Sequence, residues 1–260
     1  MDATQKKLWK KIREEALHYS ASEPILASFF YSTILNHHSL KSALSYQLAN
    51  RLDHRTMPGI LLREVIEEAF TQSPEIMTAV MADIIAVQDR DPAVNDYSTP
   101  LLYLKGFQAI QVHRVANWLW KKNRITLALY LQNRSSELFS VDVHPAATIG
   151  KGIMFDHATG VVIGETAVIE DDVSLLQGVT LGGTGKTGGD RHPKIRQGVM
   201  IGAGATVLGN IEIGKGAKIG AGSVVLYAVP AHTTVAGVPA KVVGVPSCEM
   251  PSLSMDQYLS

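Results

Sequence analysis

"IRQGVMIGAGATVLGNIEIGKGAKIGAGSVV", residues 195–225, decides the fold. Ile195, Ile201, Val207, Ile213, Ile219 and Val225 recur every six residues, and Gly directly follows Ile201, Ile213 and Ile219. A sustained period of six points to a parallel β-helix, in which each repeat supplies one short strand and one turn. Three repeats close a triangular coil of about eighteen residues. The aliphatic residue faces inward and stacks on its equivalents in neighbouring coils. The Gly after it permits a tight corner. No single repeat can bury its own face, so stacking is obligatory.

Upstream, the same rhythm includes Val143, Ile149 and Phe155, then Ile163, Ile169, Leu175 and Leu181. It slips twice. Phe155 to Ile163 is eight residues, and His157 lies in that interval. Leu181 to Ile195 is fourteen, eight more than one repeat needs. The excess falls within "GGTGKTGGDRHPK" (182–194), a protruding loop that holds Lys186, Asp190, Arg191 and His192. Polar loops on a rigid scaffold are common places for binding and catalysis. The two irregularities are therefore the candidate site. The slip at His157 predicts a bulge that projects Asp156 and His157 toward the 182–194 loop.

Residues 1 to about 138 are written differently, as helices. Leu62, Val65, Ile66, Ala69 and Phe70 share one helical face. Ser73-Pro74-Glu75 reads as a helix stop and restart, with Ser73 as N-cap and Pro74 at the first helical position. Ile76, Val80, Ile84 and Val87 carry the next stripe, residues 89–100 a polar connection, and residues 102–122 a further long helix. Trp118 and Trp120 read as packing residues. The expected class is α+β: a helical N-terminal domain (1–138), a parallel β-helix (139–245) and a C-terminal tail (246–260).

Bulk properties narrow the function. The 260 residues carry 24 Lys+Arg and 24 Asp+Glu, so nothing attracts nucleic acid or an anionic membrane in bulk. No apolar run approaches a membrane span of about 18 residues. "MDATQKKLWKKIREEA" lacks the apolar core of a signal peptide, and a single cysteine, Cys248, forms no internal disulfide framework. A cytoplasmic location is expected.

Asp142 and His157 are fifteen residues apart across the slip, so both can lie near one edge of adjacent coils. A His–Asp pair is a general-base unit: the carboxylate fixes the tautomer and stabilises the imidazolium. The plainer alternative is a turn histidine beside a solvated aspartate. His144, His157 and His192 raise a zinc site, but no HxH or HxxxH pair supports it. The Gly-rich loop lacks the Walker A spacing, so it reads as a flexible cationic flap rather than a nucleotide cradle. Lys215, Lys218 and Lys241 read as solvated solenoid surface, or as partners for the phosphates of a long cofactor.

The segments "DVHPAATIGKGIMFDHATGVVIGETAVI" (142–169), "GDRHPKI" (189–195) and "VAGVPAKVVG" (235–244) closely resemble bacterial serine acetyltransferases. "DPA" (91–93) and "GFQAIQVHRVANWLW" (106–120) resemble that family's N-terminal domain. The resemblance implies acetyl transfer from acetyl-CoA to the L-serine hydroxyl, giving O-acetyl-L-serine and CoA, without a metal. It also implies a left-handed parallel β-helix capped by the helical domain, trimers through that β-helix, paired into hexamers, and feedback inhibition by L-cysteine. Within it, His157 matches the catalytic base and Asp142 its orienting partner. Asp91 and Asp156 match residues that hold the serine ammonium. Arg191 matches the carboxylate clamp, with His192 beside it. Gly183, Ala203, Lys218 and Lys241 fall where acetyl-CoA would run. The family often ends in an isoleucine tail that enters O-acetylserine sulfhydrylase, whereas this chain ends "SLSMDQYLS". That departure puts the sulfhydrylase complex in doubt. Two rivals remain on the residues alone: a hexapeptide acetyltransferase for a sugar or other hydroxyl acceptor, and a non-catalytic scaffold. Charges of both signs at Asp91, Asp156 and Arg191 suit a zwitterion better than a sugar.

Overall fold

A computed structural model describes residues 3–185 and 188–259. Lys186 and Thr187 of the predicted loop, and Ser260, lie outside them. The chain forms two compact units, one ending at Leu104 and one beginning at Lys105.

The first unit is helical: α1 (Ala3–Ser22), α2 (Ala27–Phe30), α3 (Leu40–Leu52), α4 (Gly59–Gln72), α5 (Pro74–Arg90) and α6 (Ser98–Leu102). The stripe read from sequence is the buried face of α4, with Leu62, Ile66, Ala69 and Phe70 inside and Val65 at its margin. Ser73 takes the N-cap position and Pro74 the first turn of α5, but the Ser73 side chain makes no capping bond. The segment after α5 is pinned to α1 instead. Glu15 accepts the backbone N–H of Ser98 at 2.9 Å, and Asp96 accepts the Tyr19 hydroxyl at 2.9 Å.

The second unit begins with α7 (Lys105–Lys121) and α8 (Ile125–Phe139), which pack on each other and on the first strands of the solenoid. The style of the sequence changes near residue 140, whereas the compact unit starts at Lys105. The polar face of α7 explains why. Asn117 donates to the carbonyls of Pro145 (2.8 Å) and Ala147 (3.1 Å), and Arg114 to that of Gly150 (2.7 Å). These side chains satisfy backbone acceptors that an open coil end would leave without partners.

The rest is a parallel solenoid with three walls and about five turns. Wall one holds β1 (Val141–Val143), β4 (Val161–Ile163), β7 (Thr180–Gly182), β10 (Thr206–Leu208) and β13 (Val224–Val225). Wall two holds β2 (Thr148–Ile149), β5 (Val168–Ile169), β8 (Lys194–Ile195) and β11 (Glu212–Ile213). Wall three holds β3 (Met154–Phe155), β6 (Ser174–Leu175), β9 (Met200–Ile201), β12 (Lys218–Ile219) and β14 (Thr234–Gly237), with β15 (Ala240–Gly244) folded back antiparallel on β14.

The register reproduces both slips. Ile163 pairs with Leu181 and Val207 with Val225, eighteen residues on in each case. Asp142 pairs with Val162, twenty on, and Leu181 with Val207, twenty-six on. The extra residues are extruded at corners while the strands stay stacked. The six-residue aliphatics form the core: Ile163, Leu175, Leu181, Ile201, Val207 and Ile213 are all at most 1% exposed. Ile149 is the exception and is only half-buried. The tail adds α9 (Pro251–Ser254) against β9, with Ser252 fully buried and its carbonyl accepting from Ser174 Oγ at 2.9 Å.

Candidate active site

The first slip is a bulge where wall three passes to wall one. His157 and Ala158 both adopt left-handed backbone, at φ 54° and 60°. For residues with a Cβ this costs roughly 1–2 kcal/mol each, so the surroundings must hold it. The bulge closes on itself through Thr159 N–H to His157 O at 2.8 Å and Val161 N–H to Ala158 O at 3.1 Å. Ala158 is fully buried, while the His157 side chain is 75% exposed. The ring's charged neighbour is Asp156, whose Oδ1 lies 3.8 Å from Nε2.

The expected Asp142–His157 hydrogen bond is absent. Asp142 stands in the middle of β1, and its Oδ1 accepts from Gln132 Nε2 of α8 at 2.7 Å. The bulge turns the imidazole outward instead of back along wall one. Asp142 Oδ2 keeps its acceptor capacity for an imidazole N–H.

Below the bulge, the same edge is nearly bare. Gln177 and Ala203 follow Thr159 down it, linked by Gly178 N–H to Thr159 O and Gly204 N–H to Gln177 O, both 2.8 Å. A Cβ built on Gly204 or Gly222 would meet nothing within 4 Å.

The 182–194 loop leaves the solenoid between wall one and wall two. It therefore lies on the opposite edge of wall one from His157, and within one chain the bulge does not face it. There, Thr166 organises the site. Its hydroxyl accepts the backbone N–H of Arg191 (3.0 Å) and of His192 (3.1 Å) and lies 2.8 Å from His192 Nδ1. Thr166 N–H also donates to that Nδ1 at 3.1 Å, so a neutral His192 carries its proton on Nε2. Burial and the adjacent Arg191 lower the His192 pKa, which favours the neutral ring. Arg191 binds Glu165 Oε2 at 2.6 Å, and that hydrogen bond holds the Glu165 carboxyl below its ordinary range. Asp190 pairs with Lys194 at 2.6 Å and anchors the loop's return.

The remaining candidates are dispersed. Asp91 ends α5 in the first unit, its Oδ1 accepting Ala93 N–H at 2.9 Å. Gly183 starts the loop against Arg191. Lys241 is exposed on β15. Lys218 is 3% exposed and is not a free surface cation: its ammonium donates to Tyr258 O and lies 3.6 Å from Asp256. His144 is occupied in its own turn, accepting Ala146 N–H at 3.1 Å against the Trp120 ring. Among the described residues, no group of three or more His, Cys, Asp or Glu is placed to hold a metal ion.

Glu165, Thr166 and Gln132 were not singled out from sequence. A signal existed for the first two. "GET" follows β4 as the loop follows β7, so counting repeats in threes stacks them on one edge.

Residues 8–112 match the family model for the serine acetyltransferase N-terminal domain, and residues 192–226 the bacterial transferase hexapeptide model. A serine acetyltransferase from Salmonella typhimurium is 63% identical over 253 residues, covering 97% of this chain and 93% of that protein. A serine acetyltransferase solved in complex with cysteine superposes with a TM-score of 0.96 at 61% identity, covering 98% of this chain and 99% of that one. A serine acetyltransferase from Brucella abortus strain S19, solved with coenzyme A, gives a TM-score of 0.92 at 54% identity, over 93% of this chain and 97% of that one.

Proposed function

This chain belongs to the serine acetyltransferases, and from that premise we propose that His157 is the general base of a site shared between subunits. The reaction of the family is acetyl transfer from acetyl-CoA to serine. Identity over nearly the full length sets aside the sugar-acceptor and scaffold readings. The observation that carries the shared site is the placement of the candidate groups on opposite edges of wall one. Packing of solenoids about a threefold axis sets one edge of each prism against the other edge of its neighbour. His157, Asp156 and Ala203 of one copy then meet Arg191, His192 and Gly183 of the next. Trimers of this kind, paired into hexamers, are the assembly we propose.

In that site Arg191 binds the serine carboxylate. Asp156 binds the ammonium, and the resemblance adds Asp91 to that role. Neutral His157 takes the hydroxyl proton as the oxygen attacks the thioester carbonyl. Asp142 orients the ring through Oδ2. The imidazolium then returns the proton to the departing CoA thiolate. The loop backbone offers its N–H groups to the developing oxyanion, while the neutral His192 offers Nε2–H to the serine carboxylate beside Arg191. Transfer is direct. Cys248 lies in the tail, beyond the solenoid, its sulfur 3.3 Å from Ser254 Oγ. Lys241 is available to a CoA phosphate, whereas Lys218 becomes so only when residues 256–258 move away.

L-cysteine, which resembles serine in both charged groups, suits the same clamps as a feedback inhibitor. A lone free thiol accords with a reducing compartment such as the cytoplasm.

The test is CoA release with acetyl-CoA and L-serine, against D-serine, homoserine and sugars, beside His157→Ala. L-serine-dependent release should fall by roughly 10²–10⁴ in the variant. Full activity in His157→Ala would remove the base assignment. Recovery of an acetylated side chain during turnover would remove direct transfer.

A further inference from the structure

We infer that Gly106 and Lys105, the first two residues of α7, are positioning residues for His157. The inference rests on the reading of His157 as the base. That ring is 75% exposed, and the structure shows no hydrogen bond from its side chain to Asp142. Its direction is therefore set by the backbone beneath it, and that backbone is left-handed at two consecutive non-glycine residues. Something outside the bulge must hold it there.

The first turn of α7 does so from both sides. A Cβ on Gly106 would sit 2.1 Å from Phe155 O, 3.1 Å from Phe155 C and 3.0 Å from Ala158 Cβ. Two of these atoms are backbone, so no side-chain rotation relieves the clash. The helix thus presses directly on the residues that enter and leave Asp156-His157. Lys105 then fastens the far side, its ammonium donating to Thr159 Oγ1. The clamped span is Phe155–Thr159, the stretch that carries the two extra residues of the coil. Gly106 lies in the buried face of α7 and Lys105 at its exposed start, so packing and tether act independently.

The experiment uses the full-length enzyme with Gly106→Ala, Lys105→Met, Lys105→Arg, Thr159→Val and the Lys105→Met/Thr159→Val double variant. Steady-state kinetics and thermal melting are combined with the rate at which diethyl pyrocarbonate modifies His157, followed by peptide mass spectrometry. Gly106→Ala should lower kcat by on the order of ten- to a hundredfold, the scale of an ångström-sized misplacement. Its KM for acetyl-CoA should stay within about twofold and its His157 modification rate should change, because a moved base alters turnover more than uniform cofactor binding. Lys105→Met and Thr159→Val should each lower kcat about two- to fivefold, the double variant no further, and Lys105→Arg should retain activity, as expected for one tether.

A lowered melting temperature with unchanged kcat per folded enzyme and unchanged His157 modification would overturn the inference. Should Gly106→Ala fail to fold, wild-type kcat and modification rates in both tether variants would overturn it equally. Wild-type activity in His157→Ala would remove the base reading. The modification rates would still report whether α7 sets the ring.

Discussion

Gly164 is the residue whose side chain would cost the loop edge most directly. A Cβ there would fall 2.1 Å from both Cδ2 and Nε2 of His192. Gly164→Ala must therefore push the ring out of its seat against Thr166. If His192 and Arg191 hold the acceptor, serine KM should rise about tenfold while acetyl-CoA KM stays near wild type, the pattern of a lost binding contact. Initial rates over a serine titration check this. Equal serine KM in the two proteins would detach His192 from acceptor binding. Asp142 makes a similar argument at the other edge. Gln132 fixes one of its oxygens, so Gln132→Met should lower kcat by about two- to tenfold through a mobile carboxylate, without the larger loss expected for Asp142→Ala. Stopped-time assays of CoA release at saturating serine give both values.

Helix α7 shows the same economy at the scale of an element. One face carries His113, Arg114 and Asn117 to the carbonyls of the first coil, and His113 is fully enclosed there with its pKa pushed down to about 3 by burial. The ordinary histidine value is about 6.5. Below it the unfolded chain binds a proton that the folded chain refuses. The stability contributed by keeping this ring neutral is thus present above pH 6.5 and is lost as pH falls from 6.5 toward 3. The slope approaches about 1.4 kcal/mol per pH unit in that window. Urea unfolding at pH 7.5 and pH 5.0 should show a loss about 2 kcal/mol larger in wild type than in His113→Gln. Parallel pH dependence in the two proteins would show that His113 does not carry the effect. Asn117→Ala should cost about 1–3 kcal/mol at either pH, because the Pro145 carbonyl loses its side-chain donor and the Ala147 carbonyl keeps only that of His113.

For the whole molecule, the decisive feature is that the His157 bulge and the Arg191 loop lie on opposite edges of wall one, and the shared site we propose follows from it. Subunits with His157→Ala and subunits with Arg191→Ala should each be nearly inactive alone. Co-refolded, they should recover activity, because some interfaces then pair an intact His157 with an intact Arg191. A random mixture of such subunits should reach about a quarter of wild-type activity by pairing statistics, each site drawing independently on two chains. No recovery from verified mixed oligomers would place each site within a single chain.

The solenoid was legible because its cause is local. A hexapeptide that must hide one aliphatic residue and turn one corner writes that need at a fixed period, from Val143 to Val225. The slips were legible for the same reason, since an extruded residue shifts the phase of everything after it. The loop at 182–194 and the bulge at His157 are therefore where the sequence places them. What the period of six does not carry is direction. The sequence reading turns His157 toward the loop that carries Arg191, yet the first follows a wall-three strand and the second a wall-one strand, so closure of the coil sends them to different edges. Likewise, no periodicity ties Gln132 to Asp142 or Gly106 to Phe155. Sequence alone determined the repeat, its interruptions and the types of residue able to do the chemistry. Tertiary structure decided which of those residues meet, because hydrogen bonds and close contacts depend on distances between stacked coils and packed helices, not on separation along the chain.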